Sequence, residues 1–356
     1  MSDEESATDD GAVGDTDGTT ADDRNLALLV RKPDVDRVIE ALRVDGSYDD
    51  DRRIQEADAD HLEIPITEQS VDIDGYEVIQ QTDPEPRITG LADRLRERGW
   101  TSDELALAPS SWAVVGSVIL VRFDDSPREA EVGEVLLELH GEADTVLARE
   151  GITGAHREPN VRVVAGAGDT ETVHTEHGTR YALDLSQVMF SPGNEAERVR
   201  MGKETTPDER VLDMFAGIGY FALPIARAGG RVTAIERNPA AFRYLLENAV
   251  LNGVEERIDA YRADCADVAP TVDADRIVMG YYDAPDYLEA ALAALEPDGI
   301  VHLHATTPES APWERPVGGL EAVAGERGRT VEVLDRRRVK SHSAGIWHVV
   351  VDARIA

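Results

Sequence analysis

The chain is predicted to be an α/β protein whose C-terminal half is a doubly wound parallel sheet. Three features lead there: five apolar runs alternating with helical patterns after Arg210, a glycine turn at Asp213-Met214-Phe215-Ala216-Gly217-Ile218-Gly219 behind the first run, and an acid, Glu236, behind the second. Crossovers long enough for a helix impose parallel, right-handed connections. The glycines let the backbone turn sharply and approach a ligand, and an acid at the next strand end suits ribose hydroxyls.

The elements follow in order. Residues 1–24 are Asp, Glu, Thr and Gly with almost nothing apolar, and read as a disordered acidic tail, neither a signal peptide nor a membrane span. Residues 25–85 read as a small α/β module, with a strand at Leu26 to Val30, a helix at Asp34 to Leu42 and a strand at His61 to Ile66. The polar stretch through Asp83-Pro84-Glu85-Pro86 reads as a linker. A middle α/β domain, 86–189, has helices at Ile88 to Arg98 and Glu131 to Leu139, and strands at Gly116 to Val121, Val161 to Ala165 and Tyr181 to Leu185.

Residues 190–356 read as the sheet domain, with strands at Val211 to Phe215, Val232 to Glu236, Ile258 to Arg262, Arg276 to Gly280 and Ile300 to His304. Two further extended runs, Val331 to Lys340 and Ile346 to Ile355, are separated only by a short polar turn and must pair as an antiparallel hairpin.

Composition bounds the partners. The 71 acids against 36 Lys plus Arg give a formal charge of -35, and the only lysines are Lys32, Lys203 and Lys340. Such a surface suits high internal salt, where the Debye length falls to about 3 Å near 1 M. Net charge therefore says little against nucleic acid, and local basic clusters carry more weight. The single cysteine, Cys265, excludes an intramolecular disulfide and a multi-cysteine zinc site, and a reducing cytoplasm follows. No metal is expected.

Gly217-x-Gly219 with Ala222 also satisfies the dinucleotide fingerprint G-x-G-x-x-A, so a nicotinamide dehydrogenase is an alternative. Asp213 before the turn would repel a pyrophosphate, Asp264 ends the third strand, and the sheet closes with a hairpin. Together these resemble the class I S-adenosylmethionine-dependent transferases. That resemblance implies Glu236 on the ribose, Asp264 and the backbone of Cys265 at the adenine edge, and Asp213, Gly217 and Gly219 around the rest of the donor. The bland reading of each acid is a solvated strand end.

The runs Asp213 to Phe221, Ala234-Ile235-Glu236-Arg237-Asn238-Pro239 and Ala274 to Met279 resemble a tRNA-modifying superfamily with two branches. One methylates N1 of the guanine 3′ of the anticodon. The other transfers the 3-amino-3-carboxypropyl arm of S-adenosylmethionine to C7 of 4-demethylwyosine, the tricyclic base made from that guanine in tRNA-Phe. Where the methyltransferases carry an Asn-Pro-Pro-like turn, this chain reads Met279-Gly280-Tyr281-Tyr282, and it reads Phe190-Ser191-Pro192-Gly193-Asn194-Glu195-Ala196-Glu197-Arg198 upstream. Both departures are similar to the aminocarboxypropyl branch.

This resemblance implies Ser191 and Arg198 as anchors for the arm's carboxylate, Arg198 as a bidentate clamp. His302 and His304 are candidates for substrate contact, against a plain reading as packed strand histidines. Arg336-Arg337-Arg338 with Lys340 is the densest basic cluster and a candidate RNA contact, against a reading as a guarded sheet edge. No catalytic base is named. The expected partner is the tRNA-Phe anticodon stem-loop, met by a monomer away from membranes; a tRNA guanine-N1 methyltransferase and a non-catalytic tRNA-binding protein are the alternatives.

Overall fold

A computed structural model describes residues 25–67, 75–87, 90–154 and 156–356. The acidic tail and the start of the predicted helix at Ile88 lie outside the described residues. The chain divides into two compact units, residues 1–94 and 95–356.

In the first unit the strands β1 (Leu26–Arg31), β2 (Gln55–Glu56), β3 (His61–Pro65) and β4 (Glu77–Gln80) form an antiparallel sheet in the order β2-β3-β1-β4. The helix α1 (Val35–Asp45) closes it through Val38 and Leu42, which pack with Leu28, Val30, Ile64 and Ile66. Arg52 donates to the carbonyls of Leu26 and Ile66 at 2.8 and 2.7 Å. The predicted linker is not free: Arg53 N donates to Glu85 O and Arg87 N to Asp51 O, both at 2.8 Å. Those peptide groups have partners in the sheet's own loops, so the segment is part of this unit.

The helices α2 (Leu91–Glu97) and α3 (Ser102–Ala106) lead into the second unit. Thr101 caps α3 in a capping box with Glu104, satisfying two otherwise unpaired backbone donors. The strands β5 (Trp112–Val115) and β6 (Val118–Val121) form a hairpin, and α4 (Glu129–Leu139) then crosses to β7 (Thr145–Thr153), which lies parallel to β6 and antiparallel to β8 (Glu158–Gly166). A second hairpin, β9 (Glu171–Glu176) with β10 (Thr179–Asp184), follows. Sequence reading missed β5, β7 and β9.

The remaining chain builds one seven-stranded sheet, through α5 (Glu195–Glu204), β11 (Arg210–Asp213), α6 (Ala222–Arg227), β12 (Arg231–Ile235), α7 (Pro239–Leu251), β13 (Ile258–Tyr261), α8 (Cys265–Val268), β14 (Ala274–Met279), α9 (Leu288–Ala294), β15 (Leu295–Pro308), α10 (Glu314–Glu326), β16 (Val331–Ser343) and β17 (Ile346–Ile355). The order is β13-β12-β11-β14-β15-β17-β16, with β17 antiparallel to both neighbours, as the hairpin required. The inner strands β11, β12, β14, β15 and β17 are mostly buried, which is why they read as apolar runs, whereas the edge strands β13 and β16 alternate half-buried and exposed residues. Strand order reverses beside β11, and a crevice at the carboxyl ends there is the expected ligand site of such a sheet.

Candidate functional site

The loop after β11 forms where the glycines were read. Gly217 and Gly219 take φ of +57° and +102°, a region costly for any residue with a Cβ. Asp213 is fully buried beneath this loop, its carboxylate accepting from Phe215 N at 3.3 Å and Ala222 N at 3.2 Å. Burial pushes it up to about 7. Asp213 and Gly219, expected at the ligand, are buried and do not line the cleft above the loop. The turn needs its amides tied, and Asp213 ties two of them, those of Phe215 and Ala222.

That cleft has a volume of about 980 Å³ and opens at the carboxyl ends of the parallel strands. Gly217, Glu236, Asp264 and Cys265 line one part of it, Ser191 and Arg198 another. Glu236 accepts from Gly217 N at 2.8 Å and Asn238 N at 2.6 Å, which fixes its carboxylate at the end of β12. Burial raises its pKa, opposed by those backbone bonds. Asp264 caps α8 by accepting from Ala266 N at 3.0 Å. Burial and the neighbouring Asp264 push the Cys265 thiol up to about 12, so it stays protonated near neutral pH and is no nucleophile.

Arg198 lines the cleft but is no open clamp. It is 3% exposed, its Nε and Nη2 donate to Glu176 at 2.6 and 2.7 Å, and its Nη1 donates to Ser191 O at 3.0 Å. Its face lies on the Phe190 ring, 5.0 Å from the centroid. Burial would raise the Glu176 carboxyl, but bonds from His174 and Arg198 outweigh it and hold it low. Glu176 thus takes the Nε and Nη2 side of Arg198, while Nη1 holds the Ser191 backbone. Nothing local in the sequence pointed to Glu176.

Two other expectations are corrected. His302 and His304 sit inside the sheet, at 0% and 2% exposure, and do not line the cleft. Arg276 donates to His302 Nε2, so His302 Nδ1 carries the proton and donates to Asp352 at 2.7 Å. His304 pairs with His348 at 3.0 Å and packs edge-on against Phe221. The basic run of β16 is also not one surface, because alternate strand residues face opposite ways. Arg336 and Arg338 are exposed, whereas Arg337 turns inward to Glu197 and Asp352, and Lys340 lines the cleft. Glu204, His302 and Asp352 bring ligand-type atoms together, but Arg200, Arg276 and Arg337 already bind them.

An aromatic wall completes the site. Phe215 lies 5.1 Å from Tyr281 and 5.3 Å from Tyr287 between ring centroids, and Arg157 sits over Tyr281 and Tyr282 at 5.7 and 5.2 Å. Flat apolar faces with a guanidinium beside them suit a stacked heterocycle. Lys340 donates to Ser191 Oγ, and its ammonium is lowered to about 8 by burial and then by Arg149, Arg198 and Arg157.

The sequence matches the TRM5/TYW2 methyltransferase domain over residues 172–334 and the TYW2 N-terminal domain over residues 91–170. The tRNA(Phe) (4-demethylwyosine(37)-C(7)) aminocarboxypropyltransferase of Pyrococcus horikoshii is 40% identical over 276 residues, 76% of this chain and 99% of that protein. The crystal structure of P. horikoshii TYW2 in complex with MeSAdo superposes with a TM-score of 0.66 at 36% identity, covering 75% of this chain and 99% of that one. The crystal structure of Trm5b from Pyrococcus abyssi superposes with a TM-score of 0.75 at 28% identity, covering 93% of this chain and 99% of that one.

Proposed function

The chain belongs to the TRM5/TYW2 family, and from that premise we propose that it is an S-adenosylmethionine-dependent tRNA aminocarboxypropyltransferase. It transfers the 3-amino-3-carboxypropyl arm to C7 of 4-demethylwyosine beside the anticodon of tRNA-Phe and releases methylthioadenosine. The observation that carries this reading is the 40% identity to an aminocarboxypropyltransferase along nearly its whole length. Met279-Gly280-Tyr281-Tyr282 supports it, standing where the methyltransferases keep an Asn.

The geometry supports this reading. Glu236 and Asp264 take the ribose and adenine edge of the donor, and the backbone at Gly217 packs close beside it. The Phe215, Tyr281 and Tyr287 rings take the extruded base. Only an arm held in line with C7, about 3–3.5 Å away, is transferred, so positioning does most of the work. The same proposal includes the first unit as a tRNA grip, Arg336 and Arg338 as phosphate contacts, and a monomer working in the cytoplasm. Among the described residues no helix is long and apolar enough to cross a membrane.

Incubating the protein with the donor and tRNA carrying the wyosine precursor tests the reading by its by-product. Methylthioadenosine is expected. S-adenosylhomocysteine alone identifies a methyltransferase, and binding of tRNA with no turnover identifies a non-catalytic binder.

A further inference from the structure

The wall of the cleft away from Glu236 carries positive charge that the protein leaves unmatched. Among the described residues Lys340 has no carboxylate within ion-pairing distance, and its hydrogen bond goes to the Ser191 hydroxyl. Arg149 lines the cleft with no side-chain partner among the described residues, and Arg157 has only Met189 Sδ and the tyrosine faces. In a chain of 71 acids, cations on a cleft wall with no carboxylate partner, Arg149 exposed and Arg157 and Lys340 half-buried, mark a place for an anion from outside. Lysine is also rare here, three of 36 basic residues, so Lys340 stands against the drift of the whole composition. Gly193 makes room for its stem: a Cβ there would meet Lys340 Cδ at 3.2 Å.

A second group follows Gly193, the residue that abuts Lys340. Asn194 lines the cleft, and its Oδ1 is buried with no hydrogen-bond partner. The 3-10 turn Pro192–Asn194 binds it to Ser191, with Asn194 N donating to Ser191 O at 3.1 Å, and Arg198 Nη1 holds that same carbonyl. An unpaired buried acceptor costs about 1–3 kcal/mol unless something donates to it. The corner therefore offers one cation with a hydroxyl, and one empty acceptor close in sequence.

We propose that Lys340 and Asn194 form a subsite for the amino acid end of the donor arm, in which the Lys340 ammonium and the Ser191 hydroxyl take the carboxylate and Asn194 Oδ1 accepts from the donor's ammonium. The inference rests on the arm-transfer reading and deepens it. Adenosine is held at the β12 and β13 end of the sheet, while Lys340 projects from β16 at the opposite edge. A donor pinned at both ends stretches its arm across the cleft toward the aromatic wall. The C7–Cγ bond then forms as the Cγ–S bond breaks, the electron pair stays on sulfur as methylthioadenosine, and the C7 proton leaves to water.

Calorimetric titration of the full chain with three ligands tests this without catalysis: S-adenosylhomocysteine carries the whole arm, its decarboxylated analogue lacks only the carboxylate, and methylthioadenosine lacks both charged groups. Lys340→Met is expected to weaken S-adenosylhomocysteine about ten- to hundredfold, the range for a hydrogen bond to a charged group, and to leave the other two unchanged. Asn194→Leu is expected to weaken both amine-bearing ligands and spare methylthioadenosine. Losses that fall equally on methylthioadenosine, or no loss for S-adenosylhomocysteine, overturn the subsite. If a variant fails to fold, the wild type decides: equal affinity for S-adenosylhomocysteine and its decarboxylated analogue also overturns it. Failure of the wild type to bind any of the three overturns the donor reading itself.

Discussion

Glu176 and Arg198 form a buried bidentate ion pair, 2.6 and 2.7 Å between the paired atoms, that ties the end of β9 to α5 beneath the cleft. Removing one partner of such a pair strands a charge away from water, at a cost of about 3–5 kcal/mol. Arg198→Ala should therefore lower stability by about that much in denaturant titration, and Glu176→Ala/Arg198→Ala should recover part of the loss. An Arg198→Ala variant within about 0.5 kcal/mol of wild type would show that the pair contributes nothing.

The β16 arginines should separate by face. Arg336→Ala/Arg338→Ala should raise the Kd for tRNA and reduce the slope of log K against log salt by about one to two, with donor affinity unchanged. Arg337→Ala should act on stability instead, since it leaves Glu197 and Asp352 short of their cation. Filter binding over a salt series, with melting curves alongside, distinguishes the two. Equal effects of all three on tRNA would restore a single basic strip.

Acid should loosen the sheet through three buried groups. Burial opposes the Asp352 carboxylate, but His302 and Arg337 outweigh it and hold its pKa below the ordinary 3.8. Its stabilisation is present above that value and is lost as pH falls toward the folded value. Burial first, then the neighbouring cations, hold His304 and His348 neutral, well below 6.5. The unfolded chain takes up those protons first, so stability falls as pH drops below about 6.5, by up to about 1.4 kcal/mol per pH unit per histidine. Asp213, raised to about 7 by burial, opposes this slope over the same range, so the test is comparative: the stability advantage of wild type over His304→Gln should fall as pH drops from 7 to 4. An unchanged advantage would place the proton uptake elsewhere.

Asp213→Asn is expected to destabilise by about 1–3 kcal/mol. An amide has one acceptor oxygen, and its NH2 would face either Phe215 N–H or Ala222 N–H, both of which need an acceptor. Thermal unfolding of the variant checks this. A variant as stable as wild type would mean the loop does not depend on both bonds.

The sheet was legible because its inner strands are mostly apolar and regularly spaced by helices, and because Gly217 and Gly219 adopt positive φ. Glu236 and Asp264 were legible as strand-end acids. Hidden were the relationships made by distant pairing. Glu176 lies 22 residues before its partner Arg198. Lys340 reads as a member of a basic run until strand alternation and the register shift between Arg338 and Lys340 are seen. His302 gave no sign in sequence that Asp352 and Arg276 would seal both its nitrogens. Buried polar residues look like exposed ones until their partners are known.

The central claim is that the four-carbon arm of the donor, and not its methyl group, moves to the tRNA. The most direct measurement uses tRNA-Phe carrying 4-demethylwyosine with donor labelled separately in the methyl and in the carboxyl group. Carboxyl label is expected in the RNA, with methyl label recovered as methylthioadenosine. Methyl label in the RNA, with carboxyl label left in S-adenosylhomocysteine, would contradict it.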